Sequence, residues 1–215
     1  QYLYKVYASE DFYKEHQAVF EGMEVELVSD QVMKEISDTM TPQGVLALVR
    51  MLEYSLEDLL QQENPLLLVL ENLQDPGNLG TILRTGEGAG INGIIMSRET
   101  VDIYNPKVTR STMGSIFRVP FVYVDDLFEV IKMMKDRNIT TYAAHLNGTD
   151  YTRESYTLGT AFLIGNEGNG LTDELTDNAQ KKIKIPMCGR VESLNAAMAS
   201  GLLVYEARRQ RQGVD

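Results

Sequence analysis

The chain has 215 residues, 43% of them apolar, which suffices for one large domain or two modest ones with a real core. Its 20 Lys and Arg stand against 31 Asp and Glu, and the net charge of -11 argues against a protein that coats nucleic acid through a general positive field, while leaving room for a local basic patch. The single Cys188 excludes an intramolecular disulfide and a cysteine-built zinc site, fits a reducing cytosol, and leaves no metal site to expect.

The amino end, QYLYKVYASEDFYKEH, has no basic leader and no apolar stretch, and no run of eighteen apolar residues follows, so the sequence reads as soluble and cytoplasmic. It begins without methionine and enters a strand-like segment at once, from which earlier residues are expected in the full protein. The patterns Asn138-Ile139-Thr140 and Asn147-Gly148-Thr149 match glycosylation acceptors but carry no weight without a secretory signal.

Residues 1–50 read as a small α/β unit: a strand around Leu3–Tyr7, a helix over Asp11–Phe20, a strand Val25–Val28, a helix begun by Ser29 or Asp30, and a strand Leu46–Val49 after the turn chemistry of Thr41-Pro42-Gln43-Gly44. Residues 51–64, with Leu52, Leu56, Leu59 and Leu60 among acids and glutamines, read as a linker or a short amphipathic helix. From Pro65 strands and helices alternate. The expected elements are a strand Leu66–Leu70, a helix about Leu79–Ala89, a strand Gly93–Met96, a helix Pro106–Met113, a strand Phe121–Val124, and a helix Asp126–Asp136. Then come strands Thr140–Ala144 and Ala161–Ile164, a helix Leu171–Asp177, a strand Lys182–Ile185, and a helix Ser193–Arg211. This alternation implies an α/β domain over 65–215 with a mostly parallel sheet.

Three strand-to-helix turns stand out. In LLLVLENLQDPGNLGTILRTGEGAG, a strand buried on both faces meets Asp75-Pro76-Gly77, Asn78 can cap the next helix, and Arg84 stays near the sheet's carboxyl edge, where open α/β sheets place ligands. In AFLIGNEGNGLTDEL, three glycines surround Glu167 and permit close approach of backbone to a ligand or another segment. In KIKIPMCGRVESLNAAMASGLLVYEARRQR, a strand stops at Pro186 and Ser193, with Asn195 just after it, suits a helix start. A dinucleotide reading of Gly88-Ala89-Gly90-Ile91-Asn92-Gly93 fails because these glycines end a helix rather than open one, and Gly165–Gly170 lacks the Lys-Ser/Thr of a P-loop.

In order and spacing, ENLQDPGNLGTILRTGEGAG, LIGNEGNGL and IPMCGRVESLNAAMA resemble the three motifs of the SpoU (TrmH-like) branch of the SPOUT RNA ribose 2′-O-methyltransferases. The resemblance covers Leu66 to about Arg211. Val25–Met51 looks like the end of the small L30-like RNA substrate-binding domain that often precedes this catalytic domain, so residues 1–50 are expected to be a partial copy of it. What the resemblance implies is a SPOUT fold with a carboxyl-terminal trefoil knot, S-adenosyl-L-methionine as cofactor at Gly165, Ile185 and Leu194, ribosomal or transfer RNA as substrate (ribosomal first), and a homodimer. Chemistry falls by position to Arg84, Asn78, Glu167, Ser193 and Asn195.

A ribose hydroxyl is a poor nucleophile, so the site must align it and stabilise the developing alkoxide. Arg84 suits the second task; its guanidinium, with a pKa above about 12, makes a poor base. Glu167 reads equally well as a structural cap of the glycine loop. Lys107 and Arg110 share a helix face and read as phosphate contacts, the alternative being surface charges that neutralise nearby acids. The stripe Leu194, Ala197, Met198, Leu202 and Tyr205 serves either a dimer interface or the core. The alternative function is an RNA-binding SPOUT-fold protein without turnover.

Overall fold

The computed structural model describes residues 2–212, in two compact units, one ending at Glu53 and the other starting at Tyr54. In the first, β1 (Leu3–Ser9), α1 (Glu10–Glu15), β2 (Val25–Val28), α2 (Asp30–Ile36) and β3 (Val45–Val49) form a sheet of order β2-β1-β3, with β1 parallel to β2 and antiparallel to β3. Ser9 and Ser29 cap the two helices through their hydroxyls. The helix expected over Asp11–Phe20 breaks at His16 and continues as a 3-10 turn, Gln17–Phe20, which lets Phe20 join Val6, Ala8, Phe12 and Tyr13 in a small core.

The second unit opens with α3 (Leu56–Leu60), capped by Ser55. Its Leu59 and Leu60 are buried in the main core, so this stretch of the expected linker packs as part of the unit. There follow β4 (Leu66–Leu70), α4 (Pro76–Ala89), β5 (Gly93–Ser97), α5 (Pro106–Ser111), β6 (Phe121–Val124), α6 (Leu127–Asp136), β7 (Thr140–Asp150), β8 (Thr160–Ile164), α7 (Asp173–Asn178), β9 (Lys181–Lys184) and α8 (Ala196–Gln212). The six strands lie in the order β6-β5-β4-β8-β7-β9 with every pairing parallel. β4, β5 and β8 are wholly buried, as uninterrupted apolar runs require in a sheet covered on both faces.

The chain leaves β4 toward β5 and leaves β8 toward β9, on the opposite side. The crevice at the carboxyl ends of β4 and β8 is therefore a switch point, where such sheets bind ligands. Gly90, left-handed with φ 78°, ends α4, so the glycines of 88–93 terminate a helix as their context implied.

Several boundaries differ from expectation for identifiable reasons. α4 starts at Pro76, not Leu79, because Asp75 rather than Asn78 caps it, accepting from the Asn78 amide at 2.8 Å. α8 starts at Ala196, not Ser193: Asn195 accepts from the amides of Ala197 at 2.9 Å and Met198 at 3.3 Å, and the Ser193 hydroxyl caps nothing. β7 runs to Asp150 rather than Ala144 because its register against β9 jumps between Ala144 and Thr149: Leu146 and Asn147 stand exposed, and buried Gly148 lies close against the Ile183 backbone where pairing resumes.

Candidate active site

At the carboxyl ends of β4 and β8, the three turns singled out in the sequence meet through a chain of side-chain hydrogen bonds. Asn78 donates from Nδ2 to Glu167 Oε1 at 3.0 Å and accepts on Oδ1 from Asn195 Nδ2 at 2.8 Å. One amide thus joins segments 89 and 117 residues away. The Glu167 carboxylate also accepts from the backbone amides of Gln74 at 3.0 Å and Asp75 at 2.9 Å, just ahead of α4. Partial burial pushes the Glu167 carboxyl up, but the bonds from Asn78, Gln74 and Asp75 prevail and hold it below the usual glutamate range. A carboxylate fully engaged in this way is a clamp between two loops rather than a general acid.

The glycine turn after β8 closes on itself. Asn166 and Gly170 exchange backbone hydrogen bonds at 3.0 and 2.8 Å, while the Asn166 side chain accepts from the Gly168 and Asn169 amides and donates to the Asn72 carbonyl at 2.9 Å. Gly165 has no room for a side chain: a Cβ there would lie 2.0 Å from the Gly170 carbonyl carbon. Gly168 and Gly189 have ordinary space around them, so close passage is enforced at Gly165 and not at those two.

Beside this network lies a cavity of about 420 Å³ among the ends of β7, β8 and β9 and the start of α8. Gly165, Ile185 and Leu194, the expected cofactor positions, all line it, as do Glu167 and Ser193. Apolar walls come from Ile164, Leu171 and Met187, and the carboxylates Asp173 and Glu192 stand at its edge. Apolar surface, main-chain donors and acceptors from the glycine turn, and acids fit a nucleoside carrying a positively charged amino-acid tail. His145 also lines the cavity, from the stretch of β7 where the register jumps.

Arg84 is brought less close. It lies two turns into α4, exposed, outside the cavity lining and without a hydrogen bond or ion pair among the described residues. Lys107 and Arg110 are likewise exposed and unpaired on α5, while Val108 between them is buried. Arg118, eight residues after Arg110, is not available in the same way: it is bound to Glu87.

The sequence reading missed two supports. Glu71, 8% exposed at the end of β4, accepts from the Thr172 amide and hydroxyl, both at 2.8 Å, tying the first turn to the start of α7. Asn72, left-handed with φ 55°, accepts from the Ser97 hydroxyl at 2.8 Å. A carboxylate directly after a five-residue apolar strand was the available signal for the first; nothing in the sequence marked the second.

Known proteins match this arrangement along nearly its whole length. Residues 65–205 match the family model described as the SpoU rRNA Methylase family, and residues 2–47 match an MRM3-like substrate binding domain. The 23S rRNA (guanosine(2553)-2′-O)-methyltransferase RlmP of Bacillus subtilis is 32% identical over 194 residues, covering 87% of this chain and 73% of that protein. A putative TrmH family tRNA/rRNA methyltransferase of Staphylococcus aureus is 35% identical over 179 residues, covering 80% of this chain and 72% of the relative. Among solved structures, an AdoMet-bound rRNA methyltransferase from Sinorhizobium meliloti superposes with a TM-score of 0.84 at 34% identity, covering 96% of this chain and 80% of the other. The SpoU methyltransferase AviRb from Streptomyces viridochromogenes in complex with AdoMet gives 0.87 at 28% identity, covering 98% and 83%.

Proposed function

Since the chain belongs to the SpoU rRNA methylase family, we propose that it transfers a methyl group from S-adenosylmethionine to a ribose 2′-hydroxyl of RNA, with ribosomal RNA as the substrate. The observation that carries this reading is the bond chain Glu167–Asn78–Asn195, which joins three sequence-distant turns beside a cavity suited to the cofactor. Ribosomal rather than transfer RNA is favoured by the activity in the name of the Bacillus relative. A cytoplasmic location belongs to the same reading and is supported by the rRNA methyltransferase activity in the name of the Bacillus relative; among the described residues no helix is long and apolar enough to cross a membrane.

When bound, S-adenosylmethionine supplies a methyl group activated by an adjacent sulfonium. Gly165, Ile185 and Leu194 hold it by main chain and apolar contact, in the space that the folded glycine turn keeps open. Asn78 and Asn195 fix the starts of α4 and α8 relative to that space, and Glu167 locks Asn78 in place, so the target hydroxyl meets a rigid frame. Ser193, exposed on the cavity wall with no partner among the described residues, is free to hydrogen-bond the RNA. Arg84 stabilises the negative charge that develops on the ribose oxygen. Lys107 and Arg110 take flanking phosphates.

Arg84 lies outside its own subunit's cavity lining, and the exposed stripe Met198, Leu202 and Tyr205 on α8 supports a homodimer in which one protomer's Arg84 serves its partner's cofactor. Residues 165–171 and the segment entering α8 we read as the crossing strands of the family's trefoil knot. Incubation with labelled S-adenosylmethionine and ribosomal RNA should give 2′-O-methylation that an Arg84→Ala protein reduces by about 100-fold or more. Undiminished transfer by that variant would refute the assignment of Arg84, and cofactor binding without any transfer would favour an RNA-binding protein lacking turnover.

A further inference from the structure

Arg84 is unpaired among the described residues although an acid, Glu87, stands three residues further along the same helix, a spacing at which side chains on a helix surface meet. The Glu87 carboxylate is engaged elsewhere: it accepts from Arg118 Nε, from Arg118 Nη2 at 3.0 Å, and from the Ser115 hydroxyl at 2.5 Å. Both partners come from the segment after α5, where Met113 and Gly114 are successively left-handed, with φ 50° and 86°, and turn the chain back so that buried Ser115 faces α4. One turn before Arg84, Gly80 lets the end of α5 rest directly on the α4 backbone, since a Cβ there would lie 1.6 Å from Ser111 Oγ. The segment carrying Lys107 and Arg110 is thereby fastened to α4 on both sides of Arg84.

We propose that Arg118 is a positioning residue of the methyl transfer: it sequesters the Glu87 carboxylate, leaving the Arg84 guanidinium uncompensated and free to reach the ribose oxygen. This rests on the role given to Arg84 above. Without Arg118, Glu87 becomes an unoccupied acid within reach of Arg84, and pairing between them would draw the guanidinium off the sugar and cancel its charge. An exposed pair of this kind adds little stability. Its effect on a charge meant for the transition state is much larger, because that charge works only while no fixed counter-ion answers it.

The test compares single-turnover methyl transfer, at saturating S-adenosylmethionine and RNA, for Arg118→Met, Glu87→Gln and the double variant. Arg118→Met is expected to slow transfer by about tenfold or more. The double variant should return to within about threefold of Glu87→Gln, with a thermal midpoint no higher than that of Arg118→Met, so that regained stability does not explain the rescue. A double variant as slow as Arg118→Met, or an Arg118→Met protein at the wild-type rate, overturns the proposal. Should Arg118→Met fail to fold, Arg118→Gln takes its place with the same two requirements: slower than wild type, and restored by Glu87→Gln. Arg84→Ala run in parallel separates the two levels. If it transfers at the wild-type rate, the reading of Arg84 fails; if it is slow and no rescue occurs, the sequestration alone is wrong.

Discussion

Asn78 and Asn195 show how much one side chain can carry. Asn195 caps α8 with Oδ1 while its Nδ2 donates to Asn78, so both ends of the amide are committed. Asn195→Asp keeps the cap but replaces the donor with an acceptor facing Asn78 Oδ1, whereas Asn195→Ala loses both and about 1 kcal/mol of cap energy. Both variants should lose methyl transfer, and only the alanine protein should also melt lower; an aspartate variant with full turnover would remove the amide chain from the reaction. Two carboxylates around α4 contribute to the acid limb of stability. Hydrogen bonding to Arg118 and Ser115 holds Glu87 at about 2, and Glu167 is depressed despite its partial burial. A folded value below the ordinary 4.5 means that each group stabilises above that pH and loses its contribution as pH falls through the folded value. Urea unfolding at pH 7, 5 and 3 should therefore show stability declining below about pH 4.5, with a shallower decline in Glu87→Gln.

At the scale of elements, α4 is the piece on which the others converge. Its first turn is bound to the glycine loop through Glu167 and to α8 through Asn195, its middle lies against α5 at Gly80, and its last turn holds the 115–118 segment through Glu87. The apolar residues of the sequence announced this helix, but its polar attachments come from partners far away in the chain. α5, six residues long, is too short to persist on its own and owes its place to α4 and to buried Val108. It thereby presents Lys107 and Arg110 outward on an acidic body. Replacing either by alanine should flatten the dependence of RNA affinity on salt by about one unit of slope, and replacing both by about two. An unchanged slope would return these residues to the role of surface charges.

At the scale of the molecule, the exposed face of α8 is the feature that a single subunit does not explain. Ala197 and Leu203 pack inward, while Met198, Leu202 and Tyr205 remain 60%, 38% and 48% exposed. The sequence stripe thus divides between core and surface. In the proposed homodimer, Leu202→Glu is expected to give monomers in sedimentation and to abolish transfer with it; mixing that variant with Arg84→Ala would not restore activity, because the Leu202→Glu protein, which carries the intact Arg84, cannot pair. A monomeric wild type would sink this reading. By itself, the sequence determined the α/β class, the buried parallel strands and the three turns that meet beside the cavity, because apolar periodicity and glycine, proline and asparagine act over a few residues. The register jump of β7, the bond from Asn195 to Asn78, the clamp through Glu71 and the capture of Arg118 by Glu87 were decided only in three dimensions. Each depends on a partner that the chain brings near only after the sheet has formed, and no local pattern records which of several polar neighbours that partner will be.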